Sequence, residues 1–83
     1  MKELLVKCIK HLNNLPDYNN ISYGVTKYCS SESNPFINIS FIIWINDTTV
    51  HKCFTYNIES EEDFEVMTKA LEEFIIENKE IIW

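Results

Sequence analysis

Between Glu59 and Glu80 the chain places Glu59, Glu61, Glu62, Asp63, Glu65, Glu72, Glu73, Glu77 and Glu80 against Lys69 and Lys79 alone. Nine acids against two lysines give that stretch a net −7, while the remainder carries +1, and the two make the formal −6 of the chain. Carboxylates bunched in one segment suit a surface aimed at a basic partner. On a helix turning ~100° per residue, Glu61, Glu65 and Glu72 line up, with Glu62, Glu73 and Glu80 beside them. Carboxylates one turn apart stand about 5–6 Å from each other, close to the ~7 Å between phosphates along one nucleic-acid strand. Such a row could occupy a groove lined with Lys and Arg that normally holds DNA or RNA. The plain alternative is a solvated helix face that keeps the domain soluble. Val66 and Ile76 share the exposed side and few lysines intersperse the acids, unlike an ordinary helix surface. Glu61, Glu62, Glu65, Glu72, Glu73 and Glu77 are therefore the first candidates for partner binding.

A second candidate is aromatic. Tyr28, Ile42, Trp44 and His51 are expected among Ser22, Thr26, Asn38, Ser40 and Thr55 on the open face of a sheet. Trp and Tyr dominate interface hot spots, so Trp44 and Tyr28 join the candidate partner-binding residues; cover by the Ser30–Pro35 loop or by the last residues is the alternative. Ile81-Ile82-Trp83 is expected to fold into the core or, failing that, to form a homodimer contact.

Metal and catalytic chemistry find little to work with. Cys8-x-x-His11 and His51-x-Cys53 offer four ligand types, but the first pair rides a helix and the second points to the other side of a sheet. Buried cysteine as a small hydrophobe is the better reading of Cys8. Two histidines, no glycine-rich phosphate loop and no nucleophile elbow leave nothing to assemble into an active site. No enzyme activity and no cofactor are expected.

The elements that must position these residues follow from hydrophobic period. Leu4, Leu5, Cys8, Ile9 and Leu12 mark an amphipathic helix ended by Asn13-Asn14 and by Pro16. Ile21, Tyr23 and Val25 alternate with Ser22, Gly24 and Thr26 in a strand reaching about Cys29. Ile37, Ile39, Phe41, Ile43 and Ile45 form one face of a second strand, and Asn38, Ser40, Ile42 and Trp44 the other. Asn46-Asp47-Thr48-Thr49 has hairpin-turn residues and predicts the pairs Ile45–Val50, Phe41–Phe54, Ile39–Tyr56 and Ile37–Ile58. Ser60-Glu61-Glu62-Asp63 resembles a capping box at the start of the last helix, whose core stripe is Phe64, Met67, Leu71, Phe74 and Ile75. The fold class predicted is α+β: helix, three-stranded antiparallel meander, helix, with both helices on the Ile37–Ile45 face.

Size and composition bound the rest. Eighty-three residues make one domain spanning 1–83, small enough for oligomerisation to help its stability. Its 46% hydrophobic content is ample for a core and argues against disorder. No signal peptide or membrane span is indicated. Three widely spaced cysteines fit reduced thiols in a cytoplasm better than a disulfide scaffold. Abundant Ile, Asn and Lys fit an AT-rich genome such as that of a low-GC bacterium or its phage.

The helix–strand–strand–strand–helix order is that of double-stranded RNA-binding domains, which place lysines at the start of the last helix to hold phosphates. Here that position reads Ser60-Glu61-Glu62-Asp63, the opposite charge, and excludes that route. The same order, with this length and acidity, resembles the small phage-encoded anti-CRISPR proteins that inhibit Cas9 by imitating DNA. In those inhibitors acids also come from loops between strands, whereas Glu32 and Asp47 are the only loop acids here. The resemblance implies a cofactor-free inhibitor acting in the cytoplasm of an infected bacterium, its carboxylates pairing with arginines and lysines meant for nucleic acid. Two other classes stay open. An immunity protein or antitoxin would turn the same acids against a toxic nuclease. A homodimeric nucleotide-sequestering module would have to use Lys27, Lys52, Tyr28, Trp44 and His51.

Overall fold

The computed structural model describes residues Met1–Trp83. In chain order it contains helix α1 (Lys2–Asn13), strands β1 (Ile21–Cys29), β2 (Phe36–Trp44) and β3 (Val50–Ile58), helix α2 (Glu61–Glu77) and a short helix α3 (Lys79–Ile82). The three strands form one antiparallel sheet in the order β1-β2-β3. The architecture is α+β.

Strand β2 shows why this sequence folds this way. Its alternate residues Ile37, Ile39, Phe41 and Ile43 are fully buried. They form one cluster with Leu4, Cys8 and Leu12 of α1, Met67, Leu71 and Ile75 of α2, and Ile58 and Ile82. Each such side chain removed from water contributes roughly 1.5–3 kcal/mol, so this cluster supplies most of the drive to fold. Phe41 is its aromatic centre, stacked on Tyr23 with ring centroids 5.6 Å apart and edge-on to Phe74 and Tyr18 at 6.1 and 6.5 Å.

The register agrees with three of the four expected β2–β3 pairs, Ile37–Ile58, Ile39–Tyr56 and Phe41–Phe54. The fourth is corrected: the ladder shifts after Ile43, and Val50 pairs with Trp44 instead of Ile45. Strand β2 ends there because Asn46 Oδ1 accepts from the backbone N–H groups of Thr48 and Thr49 and from the Thr48 hydroxyl, at 2.9–3.0 Å. That side-chain turn competes with the ladder. Ile45 is left 61% exposed, so the buried row has four members and not five.

A second shift, at Thr26, corrects the placement of Tyr28. Val25 pairs with Ile39, but Lys27 pairs with Asn38 and Tyr28 with Ile37. The extra residue reverses the strand's facing, and Tyr28 shares the side of Ile37 rather than that of Trp44. Thr26 itself stays with the polar face, its hydroxyl donating to Asn38 Oδ1 at 2.9 Å.

Helix starts and stops follow local chemistry. Ser60 Oγ accepts from the Asp63 N–H at 3.2 Å, while the Asp63 carboxylate accepts from the Glu59 N–H at 2.9 Å. The box is thus closed one residue earlier than in the usual pattern. The last helix is split at the buried Asn78, whose side-chain amide donates to the Phe74 carbonyl at 2.7 Å. Glu80 therefore belongs to α3 and leaves the row of acids on α2. Ile82 is buried and Ile81 partly so, whereas Trp83 is 76% exposed. On α1, Ile9 is more exposed than its place in the apolar period predicts.

Two hydrogen bonds to backbone carbonyls tie the far segment down. The Asn19 N–H donates to the Ile82 carbonyl at 2.7 Å, and the Asn20 side-chain amide donates to the Ile81 carbonyl at 3.3 Å. Asn20 has φ 61°, the left-handed region that Asn tolerates and β-branched residues do not. Asn20→Val is expected to lower the melting temperature by several degrees, a loss of about 1–2 kcal/mol. Thermal unfolding followed by circular dichroism checks it; an unchanged midpoint would remove this turn from the structure's supports.

Candidate functional site: an acidic helix beside an apolar groove

Helix α2 exposes Glu61, Glu62, Glu65, Glu72, Glu73 and Glu77. Its apolar stripe of Met67, Leu71 and Ile75 is held in the core, and a helix with one face pinned must present the other. The acids fall on two adjacent lines. Glu61, Glu65 and Glu72 follow at four and seven residues, while Glu62 and Glu73 lie further round the helix.

One of these acids has a cationic partner within the chain. The Lys7 ammonium donates to Glu61 at 2.6 Å and sits 5.2 Å from the centre of the Phe64 ring. That hydrogen bond raises the Lys7 pKa above its ordinary value of 10.5, with desolvation opposing and the charges of Glu61 and Glu65 adding. Both side chains are half-exposed or more, so the pair contributes little to stability in water. It does pin the start of α2 to α1. Sequence reading missed this contact because the partners lie 54 positions apart. Glu62, Glu65, Glu72, Glu73 and Glu77 form no salt bridge.

Beside this line of acids, the end of α1, the segment after it, α2 and the last residues of the chain enclose a groove of about 600 Å³. Leu15, Tyr18, Leu71, Ile75, Ile76 and Trp83 form its apolar lining, and His11, Thr68, Glu72 and Lys79 are its polar members. The Tyr18 and Trp83 rings lie 6.0 Å apart at 46°. The sequence carried little sign of this groove, because its lining comes from two stretches of chain, 11–18 and 68–83, that meet only in the fold. The exposure of Ile76 was its one legible trace.

The second candidate surface is separate. Trp44 stands on the opposite side of the sheet from the buried row, its indole N–H donating to Ser22 Oγ at 2.9 Å. Ile42 and Cys53 pair across the strands on that same side. Tyr28 does not join them, for the reason given by the Thr26 shift. Nor are Lys27, Lys52, Tyr28, Trp44 and His51 brought together: the two lysines lie on opposite edge strands, and no surface depression is lined by two of the five.

The cysteines are divided in the same way. Cys8 is wholly buried, Cys29 half-buried and Cys53 exposed. No group of three or more His, Cys, Asp or Glu side chains converges as a metal ion requires. Burial raises the Cys8 pKa above its ordinary value, with Glu61 adding, and so disfavours the reactive thiolate. In the native protein a thiol reagent is expected to modify Cys53 fast, Cys29 more slowly and Cys8 only on unfolding. Mass spectrometry of timed alkylation reads this order. Early labelling of Cys8 would show that the α1 packing opens readily.

Comparison with protein-family models, curated proteins and solved structures gives no match to this chain. No helix is long and apolar enough to cross a membrane.

Proposed function

We propose that this protein is a small inhibitor that occludes the basic nucleic-acid-binding groove of a nuclease complex, as an anti-CRISPR or other anti-defence protein would. The observation that carries the reading is the line of exposed carboxylates on α2, where Glu62, Glu65, Glu72, Glu73 and Glu77 form no salt bridge within the chain. Unneutralised acids on a rigid helix gain most from a partner that brings arginines and lysines. Occlusion is a matter of charge and shape and would need no cofactor. An immunity protein against a toxic nuclease would use the same surface, and a toxin gene beside the coding sequence would favour that variant of the reading.

The test begins with capture of the partner from a lysate of a CRISPR-bearing bacterium, followed by titration of the purified pair. Association is expected to weaken by at least about tenfold between low and physiological salt, and DNA or RNA bound by the partner should compete. Affinity that is flat in salt and indifferent to nucleic acid would overturn the reading and favour the Trp44 face.

A further inference from the structure

The geometry points to the groove between α1 and α2 as a docking site for a basic amphipathic segment of a partner protein, resting on the reading that the partner is basic. The groove holds about 600 Å³, within the ~300–1,000 Å³ typical of binding clefts. His11, one of its lining residues, stands edge-on to Phe64 with centroids 6.0 Å apart. Two of its lining residues are largely in water, Ile76 at 57% and Trp83 at 76% exposure. A large aliphatic and a tryptophan left in water around an apolar cleft have the composition of an interface centre.

Charge selects the occupant. Glu72 lines the groove, Glu65 lies about two helical turns before it, and neither has a salt-bridge partner. A second copy of this chain would bring two α2 helices together, each within a segment of nine acids and two lysines, and like charges so placed repel. An anionic membrane surface is disfavoured for the same reason. A segment with apolar side chains on one face and Lys or Arg on its flanks satisfies both the cleft and its acids, in the manner of a helix laid in a groove. Lys79 fixes its direction: the occupant's cations belong at the Glu65–Glu72 end and its apolar or acidic residues beside Lys79.

Trp44→Phe leaves Trp83 as the one tryptophan, a reporter in the lining of the groove. The probes are a synthetic Leu/Lys amphipathic peptide of about 14 residues, a Leu/Glu peptide of the same pattern, and an oligolysine of equal charge. The Leu/Lys peptide is expected to shift Trp83 emission to the blue, saturably, and to bind about tenfold or more tighter than oligolysine. Ile76→Asp, at an exposed position that leaves the fold intact, should remove that advantage without weakening oligolysine binding. Equal binding of oligolysine, with no effect of Ile76→Asp, would overturn the docking site while leaving the acidic surface as a binding face. Failure of both cationic probes at low salt would overturn the site and the basic-partner reading together. Equal binding of the Leu/Glu peptide, or self-association abolished by Ile76→Asp, would overturn the choice of occupant.

Discussion

Ile39→Asp is expected to abolish the cooperative melt of this domain, and Ile45→Asp to leave it within a few degrees of the parent. Ile39 has no exposed surface, with Val25 and Tyr56 opposite it on the flanking strands and the helix side chains of the core beyond. No cation of the chain belongs to that cluster. A carboxylate there must either stay charged without a partner or bind a proton and keep unsatisfied polar atoms, at a cost of several kcal/mol. A domain of this size has a total stability of about 5–10 kcal/mol, so the substitution removes most or all of it. Ile45 has the same parity in sequence but lies beyond the end of β2 and is mostly in water. Thermal denaturation followed by circular dichroism compares the two variants. A parent-like melt for Ile39→Asp would show that the buried row has been assigned to the wrong side of the sheet.

That pair of variants also marks where sequence was sufficient. The four residues Ile37, Ile39, Phe41 and Ile43 were legible because a period of two, held over a strand buried on one face, admits only one register. The Ser60 cap and the buried stripe of α2 were legible from spacing alone. The departures come from single residues that the period does not see. Thr26 and His51 are ordinary strand residues, yet the ladder skips each of them, and one of the two skips carried Tyr28 to the helix side. Neither position is a glycine, so no backbone signal announced the shift. Asn78 split the last helix because its side-chain amide found a carbonyl one turn back, a choice that depends on its being buried. Of the candidate site, the acids were visible and their exposure followed from helical period. Their one internal partner, Lys7, and the groove beside them arise only when α1 and α2 pack.

The same packing sharpens what a charge reversal can test. Glu65, Glu72 and Glu73 are exposed and lack a salt-bridge partner, so changing all three to Lys breaks no salt bridge and costs only the weak, solvent-screened attraction of Glu65 for Lys7. Surface substitutions of this kind usually shift stability by no more than about 0.5 kcal/mol each, and the melt should be retained. Glu61 is left out because its reversal would face Lys7 at the start of α2. Three reversals raise the formal charge from −6 to zero, and all of the change falls on one helix. Against a basic partner each attraction becomes a repulsion in a contact from which water has been excluded, and losses of about 2–5 kcal/mol for a single buried charge contact are common. The triple variant is therefore expected to lose association by at least about a hundredfold. The matching Glu→Gln triple, which removes charge without reversing it, should fall between parent and Lys variant. Binding measured on folded protein at fixed salt reads the series. An unaltered affinity across all three would reduce α2 to a solvated face. The contact would then pass to the far side of the sheet, where Ile42 and Trp44 remain as anchors without Tyr28.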